Sequence, residues 1–385
     1  TKTFDAGAGY LIRMPDNHPT SPTPWPGKFE GTPFNGYLEV PLNYFGPGAG
    51  YNLVGNPYPS TLNAEVFLQE NATDIQGTLY FWRKTNNTAG TAYATYTLGG
   101  ATTTSPTSPL PNGTIQVGQG FFVEARNVVQ PKVIFDNSMR VDNNNNQFFR
   151  AHFGMPYTVN TTFEKHRFWL NLTHESGLFS QMMVGYMEGA TLAEDPLLDG
   201  RFIGDSNQSL TSLIDANPYA VQARPLPFEV ADVVPLRFQT NAAGTFQITL
   251  GQADGLFEAG QAIYLRDLLT QAVHDFSAGA YVFSSVAGSF SSRFEVIYQN
   301  ETLGVGGVIT QSDVQVVSQN DLIQVRSTGE LIQQVTIYDV LGRTILQGED
   351  TSNNHWNSLI YKTKQVLLVR VRLADGSEST HKVIH

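Results

Sequence analysis

The 385-residue sequence predicts an all-β protein built of tandem antiparallel β-sandwich or jelly-roll-like domains. Short runs rich in aromatic and β-branched residues recur along the chain, and Gly, Pro and Asn bound them as turn formers bound strands. Few segments place apolar residues at the 3.6-residue spacing of an amphipathic helix. Regularly spaced strands with almost no helix are typical of sandwiches and jelly rolls.

The strand pattern is clearest in five runs. These are residues 36–42, 78–82, 120–124, 245–250 and 294–298.

Residues 60–70 form the best helix candidate. Ser60 and Thr61 are both suited to cap it, since a hydroxyl at the first position accepts a backbone N–H bond. Its apolar face would consist of Leu62, Val66 and Phe67. A weaker helical turn is predicted within residues 205–214.

Composition shifts divide the chain into three predicted regions. Residues 1–150 are expected to form a β-rich sandwich, and 151–303 a second sandwich domain or half, because a polar Asn-rich stretch separates them. Residues 304–385 follow a Gly-rich linker and are expected to form a separate domain. The first residues do not resemble a signal peptide, so we expect the chain to begin inside a larger precursor.

Composition also excludes several classes of function. The net charge of −11, with no cluster of Lys and Arg, argues against nucleic-acid binding. Cysteine is absent, which excludes disulfides, thiolate metal sites and cysteine nucleophiles. No run of about 18 apolar residues occurs, so no transmembrane helix is predicted. Charged residues make up only 15% of the chain, which leaves Asn, Thr, Ser, Gln and Gly to cover the surface.

The C-terminal segment carries several ordered motifs. They lie at residues 323–327, 332–343 (with Tyr-Asp-Val-Leu-Gly-Arg at its end), 365–371, 375–376 and 382–385. In this order they resemble the sorting domains of substrates of the Bacteroidetes type IX secretion system, most closely the type C subgroup. The resemblance implies a small C-terminal Ig-like β-sandwich, together with the type IX translocon and outer-membrane shuttle or attachment components as partners.

The same resemblance implies which residues serve export. They are Tyr338, Asp339, Gly342, Arg343, Val369, Val371, Lys382, Val383 and Ile384. The local pattern agrees with the implied fold. Gly342 can take a positive φ in a turn, and residues 374–377 join two strand-like runs as a hairpin loop would.

Residues 1–300 resemble a region found upstream of such sorting domains in large Bacteroidetes surface proteins. The matching segments are 51–60, 79–82, 117–123, 135–140, 166–172, 184–186, 223–228 and 263–267. The resemblance implies a secreted, non-enzymatic adhesin-like or structural protein on the outer surface of a Gram-negative bacterium.

An alternative function is a carbohydrate-binding module or glycan-active enzyme that uses the same export route. Trp25, Trp82 and Tyr93 are candidates for a sugar-stacking platform, although aromatic residues on strands more often belong to the core. No Gly-x-Ser-x-Gly nucleophile motif occurs, and the histidines are scattered. Extracellular glycans or other surface proteins are thus possible partners of residues 1–300.

No cofactor is expected, with one alternative. Asp195, Asp199 and Asp205 lie close together in a turn-rich stretch, and carboxylate and carbonyl oxygens are the ligands that Ca²⁺ prefers. A structural calcium ion at these residues is therefore a candidate.

Overall fold

A computed structural model describes residues 3–12, 16–17, 19, 21, 23, 30–83, 92–142, 164–204, 208–299, 314–319, 322–327, 330–360, 366–374, 376 and 378–384. The chain divides into two compact units, Thr1–Asn300 and Glu301–His385. The protein is all-β and sandwich-like, as the sequence predicts. The predicted boundaries near residues 150 and 303 both lie outside the described residues. Within the described residues, no helix is long and apolar enough to cross a membrane.

The first part of the larger unit contains three small sheets and one helix. Its strands are β1 (Leu38–Pro41), β2 (Tyr51–Gly55), β3 (Thr61–Asn63), β4 (Leu79–Trp82), β5 (Tyr93–Tyr96), β6 (Ala101–Thr102), β7 (Thr114–Ile115), β8 (Gly120–Glu124), β9 (Lys132–Phe135) and β10 (Arg140–Val141). The sheets have the strand orders β1-β9, β10-β3-β7 and β2-β8-β4-β5-β6. Helix α1 (Ala64–Glu70) packs Phe67 against Phe121 and Phe135, with ring centroids 5.3 and 5.2 Å apart.

Helix α1 starts later than the sequence predicts. Its N-cap is Asn63, whose side chain accepts hydrogen bonds from the backbone N–H groups of Glu65 and Val66 at 2.8 and 3.3 Å. Thr61 instead lies in β3, which pairs with β7 and β10. The predicted caps, Ser60 and Thr61, were therefore wrong, because strand pairing holds the backbone extended through Asn63.

The second part of the larger unit is dominated by one large sheet. Its strands are β11 (Lys165–His174), β12 (Phe179–Met187), β13 (Gly200–Arg201), β14 (Ser209–Ile214), β15 (Asn217–Pro225), β16 (Val233–Thr240), β17 (Gly244–Ala253), β18 (Tyr264–Asp267), β19 (Ala272–Asp275), β20 (Tyr281–Ser285) and β21 (Gly288–Ile297). The strand order is β19-β18-β21-β16-β14-β15-β12-β11-β17-β20, with β13 beside β15.

Two features of this sheet differ from the sequence prediction. β12 and β15 pair in parallel, whereas the other pairs in the sheet are antiparallel. The helical turn predicted within 205–214 is wrong, since β14 occupies Ser209–Ile214. All six of its residues are buried, so the strand lacks the apolar–polar alternation that identifies a half-exposed strand.

A buried carboxylate joins the two ends of the large sheet. Asp267, on β18, is fully buried and accepts hydrogen bonds from Arg293 on β21 (3.0 Å) and from the Tyr281 hydroxyl on β20 (2.9 Å). Arg293 also donates to the carbonyl of Ser284 on β20 and lies over the rings of Phe283 and Phe294. β20 pairs in the sheet only with β17, so these contacts tie it to strands at the opposite end of the sheet.

The two parts of the larger unit share a polar seam. Thr78 and Thr97 donate their hydroxyls to the carbonyls of Asp199 (3.2 Å) and Leu198 (2.8 Å). The Trp169 indole donates to the carbonyl of Ala101 at 2.7 Å. These buried bonds connect two separate hydrophobic cores within one compact unit.

The terminal unit is a small sandwich of two antiparallel sheets. Its strands are β22 (Val314–Gln319), β23 (Leu322–Ser327), β24 (Ile332–Asp339), β25 (Thr344–Asn353), β26 (His355–Leu359), β27 (Val366–Leu373) and β28 (Glu378–Ile384). The sheet orders are β22-β23-β26 and β25-β24-β27-β28. The predicted hairpin is confirmed, because β27 and β28 pair along their length. Gly348 lies against the Trp356 indole, where a Cβ atom would come within 2.6 Å of the ring nitrogen.

The assigned helix cap generates the first prediction. Asn63→Ala should lower the free energy of unfolding by about 1 kcal/mol, because two backbone N–H groups of α1 lose their acceptor. Thermal or urea unfolding measures this loss. Gln69→Ala, on the exposed side of the same helix, serves as the control and should stay within about 0.5 kcal/mol of the parent. Equal stability of the two variants would contradict the assignment.

The buried carboxylate generates a second, pH-dependent prediction. Burial raises the pKa of Asp267, but bonds from Arg293 and Tyr281 outweigh it and hold the pKa below its usual value. The stabilisation is therefore complete above the unfolded pKa of about 4 and is lost as pH falls toward the folded pKa. Asp267→Asn should cost about 3–5 kcal/mol at pH 7, because it leaves the Arg293 charge buried and unpaired.

The cost of Asp267→Asn should shrink as the pH falls below the unfolded pKa of about 4, because the parent then progressively loses the stabilisation that its carboxylate charge provides. Unfolding by urea at several pH values measures this difference. Glu295→Gln disrupts the partly exposed pair with Arg266 and is the control, with an expected cost of about 1 kcal/mol or less. Equal costs for the two variants would show that Asp267 has no special role.

Candidate functional site

The first candidate site is the turn between β24 and β25 in the terminal unit. The Asp339 carboxylate accepts hydrogen bonds from the backbone N–H groups of Leu341 (2.9 Å) and Arg343 (3.0 Å) and from Nε of Arg343 (2.6 Å). These bonds, led by the Arg343 N–H, hold the pKa of Asp339 below its usual value. Gly342 has φ +80°, which confirms the predicted positive φ.

This turn holds two apolar side chains out in solvent. Val340 is 66% exposed and Leu341 is 75% exposed, while the Asp339 carboxylate below them is buried. Large apolar side chains on a rigid turn lose little conformational entropy when they bind a partner. We call Val340 and Leu341 the apolar tip. The sequence prediction missed both residues, although they stand inside the Tyr-Asp-Val-Leu-Gly-Arg motif.

The remaining predicted export residues have different environments. Val369 and Val371 are fully buried in the core of the terminal unit, and Val383 packs against that core. Tyr338 and Lys382 lie in one row across the outer face of the sheet, on either side of Leu368. Val369 and Val371 therefore support the fold, while the turn and the Tyr338–Lys382 row face outward. The side chain of Ile384 lies outside the described residues.

The predicted calcium ligands are engaged by hydrogen-bond donors. Asp195 accepts from the backbone N–H and the hydroxyl of Thr191, at 2.5 and 3.0 Å. Asp199 accepts from the backbone N–H groups of Asp195 and Ala223, both at 2.6 Å. Burial raises the pKa of Asp199 to about 7. Asp205 lies outside the described residues.

All four carboxylate oxygens of Asp195 and Asp199 thus already face donors, which a cation would have to displace. Across the described ranges, no group of three or more His, Asp or Glu side chains could hold a metal ion.

The second candidate site is the outer face of the β2-β8-β4-β5-β6 sheet. Trp82 and Tyr93 are directly opposite each other on β4 and β5, and Leu53 is opposite Phe122 on β2 and β8. Phe122 is opposite Tyr80, two residues from Trp82, so all these side chains point to the same face. Tyr93 and Phe122 make an edge-to-face contact, with centroids 5.8 Å apart at 81°. We call Leu53, Trp82, Tyr93 and Phe122 the aromatic strip.

Among the described residues, those of the rest of the unit cover one end of this outer face. Tyr80 is fully buried and donates its hydroxyl to the carbonyl of Arg201. Gly200 lies against Thr95, where a Cβ atom would come within 2.9 Å of the threonine methyl group. Beyond this covered end, Trp82 is 51% exposed, and the other three residues of the aromatic strip are half-buried. Trp25, the third predicted aromatic residue, lies outside the described residues.

The covered end contains an unusual acidic residue. Glu124 is buried, and one of its carboxylate oxygens has no hydrogen-bond partner. Burial raises its pKa. Register places Glu124 opposite Tyr51 and on the same face as Phe122, two residues away. Because Glu124 is buried, its carboxylate does not belong to the exposed part of the aromatic strip.

Comparisons with known proteins give families without an assigned function. A model described as a domain of unknown function, DUF8693, matches residues 1–298, and a second, DUF8694, also of unknown function, matches residues 305–385. No curated protein matches the sequence. Because the first model covers well over half of the sequence, the chain belongs to the DUF8693 family.

Proposed function

We propose that this chain is a non-enzymatic, adhesin-like or structural protein that the type IX secretion system exports to the outer surface of a Gram-negative bacterium. In this proposal the terminal unit is the export and attachment signal, and the larger unit is the part displayed outside the cell. The observation that carries the proposal is the turn from Asp339 to Arg343. It combines the motif that resembles a sorting domain with an exposed apolar tip.

The geometry of the turn supports a role in recognition. Two adjacent exposed apolar side chains gain free energy when a partner removes them from water. Here the Asp339 carboxylate fixes the loop that carries Val340 and Leu341. A partner can therefore bury both side chains without having to order the backbone.

The outer face of the β25-β24-β27-β28 sheet offers a second contact surface beside the turn. Tyr338 precedes Asp339 directly and lies in the same row as the exposed Lys382. An export component that contacted the apolar tip could thus also meet a tyrosine and a lysine on a flat strand surface. Val369 and Val371 contribute by holding this sheet on its core.

The composition of the larger unit suits display outside the cell. It has no cysteine to oxidise incorrectly during export, and few charged residues. Its cores are linked by buried hydrogen bonds such as those of Thr97 and Trp169. These features fit a stable, displayed body and carry no catalytic step.

Removal of the terminal unit tests the proposal as a whole. A chain lacking residues 306–385, expressed behind a cleavable signal peptide in a bacterium that has a type IX system, should accumulate in the periplasm. Fractionation and surface protease treatment measure its location, with the full chain as the control. Normal surface display of the shortened chain would overturn the proposal.

A substitution in the apolar tip tests the site itself. Leu341→Asp should reduce surface display at least about tenfold, because it places a charge in the contact that the partner would bury. Its melting temperature should match that of the parent, since Leu341 is 75% exposed. Leu331→Asp changes another half-exposed leucine of the terminal unit and is the matched control. Equal display of the two variants would exclude the apolar tip as the recognition surface.

A further inference from the structure

We infer that the aromatic strip is a binding site for a neutral saccharide, with Trp82, Tyr93 and Phe122 as its stacking platform. This inference concerns the larger unit alone and does not depend on the proposed export function. It begins with the arrangement of the rings. Phe122, Trp82 and Tyr93 lie on three adjacent strands, β8, β4 and β5, whose spacing is about 4.8 Å.

The exposure of these rings is unusual for the sheet that carries them. The opposite face of the same strands holds Phe81, Ala94 and Phe121, which are buried in the hydrophobic core. Strand alternation therefore already provides the core with its aromatic residues. Trp82 is left 51% exposed on the outer face, where it gives little to folding. A large exposed aromatic group beside two others marks an interaction site.

The size of the strip favours a small ligand over a protein. Each aromatic side chain can bury about 150–250 Å² when fully covered, and the strip rings are already partly buried. The strip can thus contribute on the order of 300 Å². A specific protein–protein interface needs about 800 Å² from each partner. A small ligand that covers only the three rings and the leucine does not need this larger area.

The charge around the strip favours a neutral ligand. Its four residues carry no ionisable group except the Tyr93 phenol. Arg83 follows Trp82 directly, so strand alternation directs it to the opposite face. The net charge of the whole chain is −11, which repels nucleotides and other anions. The four strip residues themselves thus supply no cation for a polyanion or a phosphate-bearing ligand.

The chemistry of the strip matches a sugar ring. A pyranose has a C–H face that packs on aromatic rings and a rim of hydroxyl groups that exchange hydrogen bonds. The Trp82 indole N–H is a donor, and the Tyr93 hydroxyl is both donor and acceptor. Aromatic side chains with one polar end suit such mixed ligands.

Affinity electrophoresis of the full chain tests the inference. Gels would contain one of five neutral polymers: galactomannan, xyloglucan, mixed-linkage β-glucan, starch or glycol chitin. We expect at least one polymer to retard the parent chain. Trp82→Ala and Tyr93→Ala should each weaken this binding about tenfold, the effect of losing one stacked ring. Trp82→Phe keeps a ring and should bind with intermediate affinity.

Two controls distinguish stacking on the strip from binding elsewhere on the chain and from charge attraction. Phe45→Ala removes a different aromatic side chain, which is 81% exposed, and should bind as the parent does. Binding should also persist in about 1 M NaCl, where charge interactions are screened beyond about 3 Å. Circular dichroism should show every variant folded at the temperature of the gels, which excludes loss of folding as the cause.

Several outcomes would overturn the inference. They are retardation by none of the five polymers, equal binding by the parent and Trp82→Ala, and binding confined to an anionic polymer such as heparin at low salt. None of these outcomes bears on the export proposal, which is tested by location in cells.

Discussion

The buried carboxylate of Asp267 is the interaction on which the architecture of the larger unit depends. An open sheet of many strands exposes one hydrophobic face unless it curls and packs on itself. Asp267 meets Arg293 and Tyr281 from two other strands, so a single residue joins the two ends of the sheet. Arg293 then lies over Phe283 and Phe294, which places a charge inside an aromatic core without leaving it unpaired.

The curl of the large sheet has consequences for the smaller sheets beside it. The loop before β13 and the start of β13 reach the outer face of the five-stranded sheet, where Thr78 and Thr97 bind their carbonyls. This contact covers one end of that face and buries Tyr80. It stops short of Trp82. The aromatic strip is therefore exposed because the covering segment ends, and its residues are held by strands that are fixed on their other face.

Sequence patterns predict this fold well where a strand has one buried and one exposed face. The run 120–124 coincides with β8, in which Phe121 and Val123 are buried on either side of the half-buried Phe122. β14 is buried on both faces, and the spacing of Leu210, Leu213 and Ile214 imitates a helix. The start of α1 was also unpredictable, because it depends on pairing between β3 and strands distant in sequence.

The candidate sites were predictable to different degrees for a similar reason. Trp82 and Tyr93 can be selected as aromatic residues, but only the register shows that they are neighbours and that Phe122 joins them. Asp195 and Asp199 look like cation ligands in sequence, yet loop geometry turns backbone N–H groups toward them. Whether a carboxylate faces hydrogen-bond donors depends on the folded backbone around it. The amino-acid composition of the stretch does not show this.

The apolar tip and the aromatic strip share one physical property. In both, other contacts fix the backbone that carries the exposed apolar side chains. Hydrogen bonds to Asp339 fix the turn that carries Val340 and Leu341. Core packing of the opposite face of the sheet fixes the strand that carries Trp82. In each group, a large part of the apolar surface stays outside the core of its own unit. Because the scaffold is already ordered, the free energy of covering these side chains remains available for a partner. Rigid exposure of this kind favours the binding of a partner over further stabilisation of the fold.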